Sequence, residues 1–137
     1  MNIDRFVDIN LIKEDNMIIL EFVVNHSIPT PLQWIIAVDE LKQHLNNLNN
    51  AGINFGFLFD IQKIGLIPLN YIKEITDIMS SNGVLLESKL YASGAIAQGS
   101  IIKYMFEAIN RFYKTKKPLN ILGTRKEAIQ FVKQHKF

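Results

Sequence analysis

Ile53-Asn54-Phe55-Gly56-Phe57-Leu58-Phe59-Asp60-Ile61 is the stretch that decides the fold. It is a nearly continuous apolar run that follows Gly52 directly and carries three Phe residues. A run of that length and bulk is a strand covered on both faces, the usual condition of a parallel strand with helices above and below it. Asp60 stands at its carboxyl end, where open α/β sheets place their sites. An aspartate there has a second use, to cap the turn that follows, and the sequence favours that use over an acid/base or ligand-anchoring one.

Upstream of this strand, Phe6 to Lys13 and Met17 to Asn25 are two strand-like runs separated by the polar turn Glu14-Asp15-Asn16, which predicts an antiparallel hairpin at one side of the sheet. Thr30-Pro31 supplies a helix start, with Thr30 as cap and Pro31 at the first helical position. Val38, Leu41, Leu45 and Leu48 recur at helical spacing, and Asn49, Asn50 and Gly52 end that helix. Trp34, near its start, reads as a core residue.

Downstream, Leu69, Ile72, Ile75, Ile78 and Met79 predict a second helix that stops near Ser80-Ser81-Asn82-Gly83. Leu90 to Ala97 is a second buried strand, and its small residues Ala92, Ser93, Gly94 and Ala95 let a helix approach closely. Ser100 is a candidate cap for a third helix with the apolar stripe Ile102, Met105, Phe106, Ile109 and Phe112 or Tyr113. A short strand, Leu119 to Leu122, follows Pro118, and Thr124-Arg125-Lys126-Glu127 is a capping box for a last helix that buries Ala128, Ile129 and Val132. An initial hairpin followed by alternating strands and helices is a mixed, mostly parallel sheet with about four helices, expected as one α/β domain over residues 1–137.

Composition bounds the function. A chain of 137 residues with 48% hydrophobic and 20% charged residues can bury a core without staples. The absence of cysteine excludes disulfides, thiolate metal sites and cysteine nucleophiles. No run reaches the roughly 18 apolar residues of a membrane span, and Met-Asn-Ile-Asp-Arg at the start lacks a signal-peptide pattern, so a cytoplasmic protein is expected. The net charge of +2 divides into +7 from Lys103 to Phe137 and −5 before it. The basic residues are dispersed over helices and a loop without a nucleic-acid motif, so nucleic acid is not expected as a partner.

Groups that could do chemistry are sparse. His26, His44 and His135 show no metal-ligand spacing, so no metal is expected. Phosphate-binding loops, dinucleotide fingerprints and nucleophile elbows are absent, and neither a catalytic residue nor a cofactor is expected. Gly94-x4-Gly99-Ser100 before a helix is a weak anion-binding pattern, better explained by close packing.

Four features together resemble the STAS domain, the fold of anti-sigma factor antagonists and of the cytoplasmic part of sulfate transporters. They are the strand end Phe59-Asp60-Ile61, the Ala95-Ile96-Ala97 strand, the Phe106-x5-Phe112 helix, and Lys117-Pro118-Leu119-Asn120-Ile121-Leu122-Gly123-Thr124 leading into Glu127-Ala128-Ile129. The resemblance covers nearly the whole chain and is closest to small, divergent bacterial relatives. In phosphorylated antagonists, it implies, a Ser or Thr nine or ten residues beyond the strand-ending Asp accepts a phosphate at a helix start. Counted from Asp60 those positions are Leu69 and Asn70, after Pro68, and neither offers a hydroxyl.

Two expectations follow. The first is a non-enzymatic, regulatory protein-interaction domain, without phosphorylation at the usual site, that meets a protein partner or its own copy through Asp60, Ile64, Leu66, Ile67, Leu69 and Asn70. Ile64, Leu66 and Ile67 fall in a connection expected to be exposed, where apolar residues either plug the core or meet a partner. The alternative is a binder of small apolar or nucleotide ligands, with a pocket among Phe55, Phe57, Phe59, Trp34 and the third helix.

Overall fold

The structure is a computed structural model, and it describes residues 4–97, 99, 100, 103–105, 107, 108 and 117–137. Its elements are β1 (Val7–Glu14), β2 (Met17–Val24), α1 (Pro31–Ala51), β3 (Phe55–Asp60), α2 (Leu69–Ser81), α3 (Gly83–Lys89), β4 (Leu90–Ile96), β5 (Leu119–Leu122) and α4 (Arg125–Gln134). They form one mixed sheet in the order β1-β2-β3-β4-β5, with β1 antiparallel to β2 and every later pair parallel.

Local chemistry sets the element ends. Asp15 and Asn16 both take positive φ (46° and 65°), the two-residue turn that matches strand twist and that Asp and Asn tolerate. At the start of α1 the Thr30 Oγ1 accepts from the Gln33 N–H at 3.1 Å and Gln33 Oε1 accepts from the Thr30 N–H at 2.9 Å, a complete capping box. Gly52 at φ 65° ends that helix, its N–H donating to the Leu48 and Asn49 carbonyls. At α4 half of the expected box forms: Thr124 Oγ1 accepts from the Glu127 N–H at 3.2 Å, while the hydroxyl itself donates to Glu127 Oε1 at 3.0 Å.

Strands in chain order, joined by crossovers of one hand, send every crossover to the same face of the sheet. Accordingly α1, α2, α3 and the helical residues Met105 and Ala108 share one core with Leu20, Phe22, Val24, Phe55 and Phe57. The chain after β5 makes no further crossover, and α4 covers the opposite face, where Ala128, Ile129 and Val132 meet Met17, Ile19, Leu58, Tyr91 and Ile96. Glycine sets that second distance. A Cβ on Gly56 would lie 2.3 Å from Val132 Cγ1, and one on Gly94 would lie 2.7 Å from the Ala128 carbonyl oxygen. The small residues of β4 therefore admit a helix closely, as their sequence predicts, and that helix is α4.

Two ion pairs fasten α4. Glu21 is buried on β2 and accepts from Arg125 Nε at 2.9 Å, and Asp15 in the hairpin turn accepts from Lys133 Nζ at 2.6 Å. The hydrogen bond with Lys133 holds the Asp15 carboxyl below its ordinary range, and the same bond raises the ammonium of Lys133.

Differences from the sequence reading are local. Ser80-Ser81-Asn82-Gly83 is a break between two helices: Asn82 donates from its backbone and from Nδ2 to the Ile78 carbonyl, and its own carbonyl accepts from Leu86 in α3. Burial of Leu85 and Leu86 holds this extra helix in place. The third expected helix is described only at 103–105 and 107–108, with Ser100 in a turn; Ile102, Phe106, Ile109, Phe112 and Tyr113 lie outside the described residues.

Candidate functional site

On the face opposite α4, large side chains hold the helices away from the strands, and a cavity of about 470 Å³ remains between them. Its floor follows from strand register. Leu20, Phe57, Ser93 and Leu119 lie in one row across β2, β3, β4 and β5, and Phe22, Phe59 and Ala95 lie in the next. Phe22 stacks on Phe59 with centroids 4.9 Å apart and meets Phe57 edge-on at 5.7 Å, so the floor is a packed aromatic surface. Ile72, Ile75, Thr76 and Met79 of α2 and Trp34, Ala37 and Leu41 of α1 form the walls.

Trp34 is buried, as expected, and braces this wall. Its ring stacks on Tyr71 of α2 with centroids 4.4 Å apart and 7° between planes. The indole Nε1–H donates to Glu74 Oε1 at 2.6 Å, so the polar end of the ring is satisfied outside the cavity while its body faces inward. The expected pocket group is thus largely assembled: Phe57, Phe59, Trp34 and Met105 of the third helical segment line the cavity, whereas Phe55, fully buried, packs against Phe57 beneath it.

The floor contains an irregularity that no local sequence pattern announces. Phe55 pairs with Leu90 but Phe57 pairs with Ser93, so β4 holds one residue more than β3 over this interval. This is a β-bulge, which reorients the side chains that follow it. Tyr91 and Ala92 both join the core under α4, after which Ser93 and Ala95 face the cavity while Gly94 meets Ala128.

The residues proposed from sequence as a contact surface separate into two groups. Asp60 caps a turn: its Oδ1 accepts from the Gln62 N–H at 3.3 Å and from Gln62 Nε2 at 3.0 Å. Strand order never reverses between β2 and β5, so no topological switch point lies beside it. Ile64 and Ile67 turn inward to line the cavity, and the expectation of exposure fails for Ile67, which is buried and whose carbonyl accepts from the Tyr104 hydroxyl at 3.2 Å. Leu66, Leu69 and Asn70 remain exposed, the last two in the first turn of α2.

Around Leu66 and Leu69 lie other exposed apolar residues. The Gly65 N–H donates to the Ser27 carbonyl at 2.7 Å, which joins the loop of Leu66 to that of Ile28. The Trp34–Tyr71 stack joins the start of α2 to the part of α1 that exposes Leu32 and Ile35.

Elsewhere, His26 bonds to Asp4 at 2.8 Å and His135 packs on Phe131. Among the described residues no three His, Asp or Glu side chains converge as metal ligands, and no helix is long and apolar enough to cross a membrane.

No protein-family model matches the chain, and no curated protein matches it by sequence. Solved structures do match in fold. An uncharacterized protein of the DUF3478 family with a SpoIIAA-like fold, from Shewanella loihica PV-4, superposes with a TM-score of 0.69 at 14% identity, over 96% of this chain and 98% of that one. A putative S41 protease from Bacteroides fragilis NCTC 9343 superposes with a TM-score of 0.52 at 13% identity, over 88% of this chain but only 39% of the protease. The extended chain-to-chain match with the first of these, together with the mixed five-stranded sheet and its one-sided crossovers, gives this chain the SpoIIAA-like fold, that of STAS domains and anti-sigma factor antagonists.

Proposed function

We propose that the protein works by binding a small apolar ligand in the cavity between the sheet and α1, α2 and α3. The observation that carries this reading is the cavity itself, about 470 Å³ in volume and lined mainly by hydrocarbon and aromatic side chains. That volume lies within the roughly 300–1,000 Å³ typical of small-molecule sites. Water against such a lining is released when an apolar ligand takes its place, and the ligand is held by the hydrophobic effect. Trp34, the one tryptophan of the chain, lines the wall and reports on occupancy. The test is a panel of apolar compounds, with the unfolding temperature and Trp34 emission followed together. A saturable rise in unfolding temperature with a matching change in emission supports the reading, since a ligand selective for the native state stabilises it by mass action. Absence of both across the panel removes it.

A regulatory protein-interaction role is the second reading, and exposed apolar side chains favour it: Leu66 and Leu69, with Ile28, Leu32 and Ile35 on adjoining segments. Such a surface fits a protein partner or a second copy. Phosphorylation at the usual site of phosphorylated antagonists would play no part, because Leu69 and Asn70 stand at those positions. Ile64 lines the cavity, so a polar change there disturbs both readings; Leu66 and Leu69 separate them. Leu66→Glu with Leu69→Glu should abolish any complex or self-association seen by sedimentation while leaving ligand binding intact. An unchanged assembly would remove the surface from consideration.

A further inference from the structure

Ser93 is the polar residue of the cavity floor. It is only 9% exposed, and it lines the cavity. Its backbone N–H is occupied separately, donating to the Pro118 carbonyl at 2.9 Å. A hydroxyl set in a mainly apolar lining is the point at which a ligand oxygen can gain a hydrogen bond. The β-bulge makes the placement specific: the extra residue in β4 is what turns Ser93 toward the cavity and Gly94 toward α4.

Thr76 of α2 is the second buried hydroxyl of the lining, Ser80 further along the same helix being exposed. Its proton is committed to the Lys73 carbonyl at 2.9 Å, which leaves Oγ1 able to accept. Charge argues against an ionic occupant. Among the described lining residues Glu87 and Lys117 are the charged ones, one of each sign, so these residues together carry no net charge to draw an anion or cation inward. A carboxylate would give up much of its hydration among walls that are mainly hydrocarbon, with Lys117 offset by Glu87 in the lining, a costly arrangement.

We infer that Ser93 is the anchoring residue of the cavity, and that the ligand is a neutral, mainly hydrocarbon compound whose single carbonyl or hydroxyl oxygen bonds to the Ser93 hydroxyl. The inference rests on the cavity-binding reading and specifies the ligand class for it.

Calorimetric titration with three matched probes tests it: biphenyl, 4-phenylphenol and biphenyl-4-carboxylate. One net hydrogen bond corresponds to about three- to tenfold in affinity. Wild type should therefore bind 4-phenylphenol about three- to tenfold more tightly than biphenyl, and the carboxylate more weakly than the phenol. In Ser93→Ala the preference for the phenol should vanish while biphenyl still binds, and Ser93→Thr, which keeps a hydroxyl, should retain it. Equal binding of biphenyl and the phenol by wild type, or a preference that persists in Ser93→Ala, overturns the assignment of Ser93 and leaves the cavity reading standing. If no probe binds, the cavity reading fails and this inference with it. A carboxylate bound most tightly overturns the neutral-ligand class.

Discussion

On the face of the sheet covered by α4, a Cβ added at Gly94 would sit 2.7 Å from the Ala128 carbonyl oxygen; on the other face, one residue along the same strand, Ala95 borders a cavity of about 470 Å³. The two faces share one set of strands and differ in side-chain size. Glycine at 56 and 94 brings α4 down to backbone contact, while Phe22, Phe57 and Phe59 hold α1 and α2 off. The closest helix–sheet approach is thus on one face, and room for a ligand on the other. The division has a topological root, because unreversed strand order places all the crossovers on one side and leaves a single helix for the opposite one.

Adding side-chain volume to each face should give opposite results. Gly94→Val forces atoms against the backbone of α4 and should destabilise the protein by about 2–3 kcal/mol in urea unfolding. Ala95→Val grows into the cavity and should change stability by less than about 1 kcal/mol while weakening apolar ligands. Comparable losses from both would mean that the two faces are equally tight.

Removing a partner on the α4 face comes next. Arg125→Ala leaves Glu21, whose side chain is 11% exposed, without its ion-pair partner, and should cost about 1–2 kcal/mol. Because neither residue touches the cavity, ligand affinity should not move; a parallel loss of affinity would show that the faces are coupled. Thr124→Ala removes the cap of α4 and should cost about 1 kcal/mol, again with affinity unchanged.

The smallest effect concerns the exposed Asp15–Lys133 contact. The Asp15 carboxyl is held low, so its contribution is present above the ordinary aspartate pKa and is lost as pH falls through its lowered value. Lys133 is held high, so its contribution is present below the ordinary lysine pKa and is lost as pH rises through its raised value. The stability difference between wild type and Asp15→Asn should therefore be largest between about pH 4 and pH 10 and fade outside that window. A difference that is constant from acid to alkaline pH would assign it to something other than this ion pair.

Much of this architecture was legible because it is written in short-range patterns. The Phe55-Gly56-Phe57-Leu58-Phe59 run, the Asp15-Asn16 turn, the Thr30-Pro31 start and the Thr124-Arg125-Lys126-Glu127 start each act within a few residues. The capping partner Gln33 and the close approach at Gly56 were open to the same reading. Other features depend on contacts between distant residues. Ile67 and Leu66 are neighbours of similar character, yet one is buried and the other exposed, a division set by how the loop docks on Ser27 and Tyr104. Whether Ser93 or Gly94 faces the cavity depends on a bulge that appears only when β4 is paired with β3. The second helix of the β3–β4 crossover was hidden because Asn82-Gly83 reads as a stop, although burial of Leu85 and Leu86 restarts the helix.

Xenon pressurisation of crystals tests the central contrast most directly, since xenon enters apolar cavities without needing a particular shape. The account predicts xenon between Phe57, Phe59 and the α2 residues Ile72 and Met79, and none between the sheet and α4. An α2 found packed down on Phe57 and Phe59 with no xenon between them would contradict it.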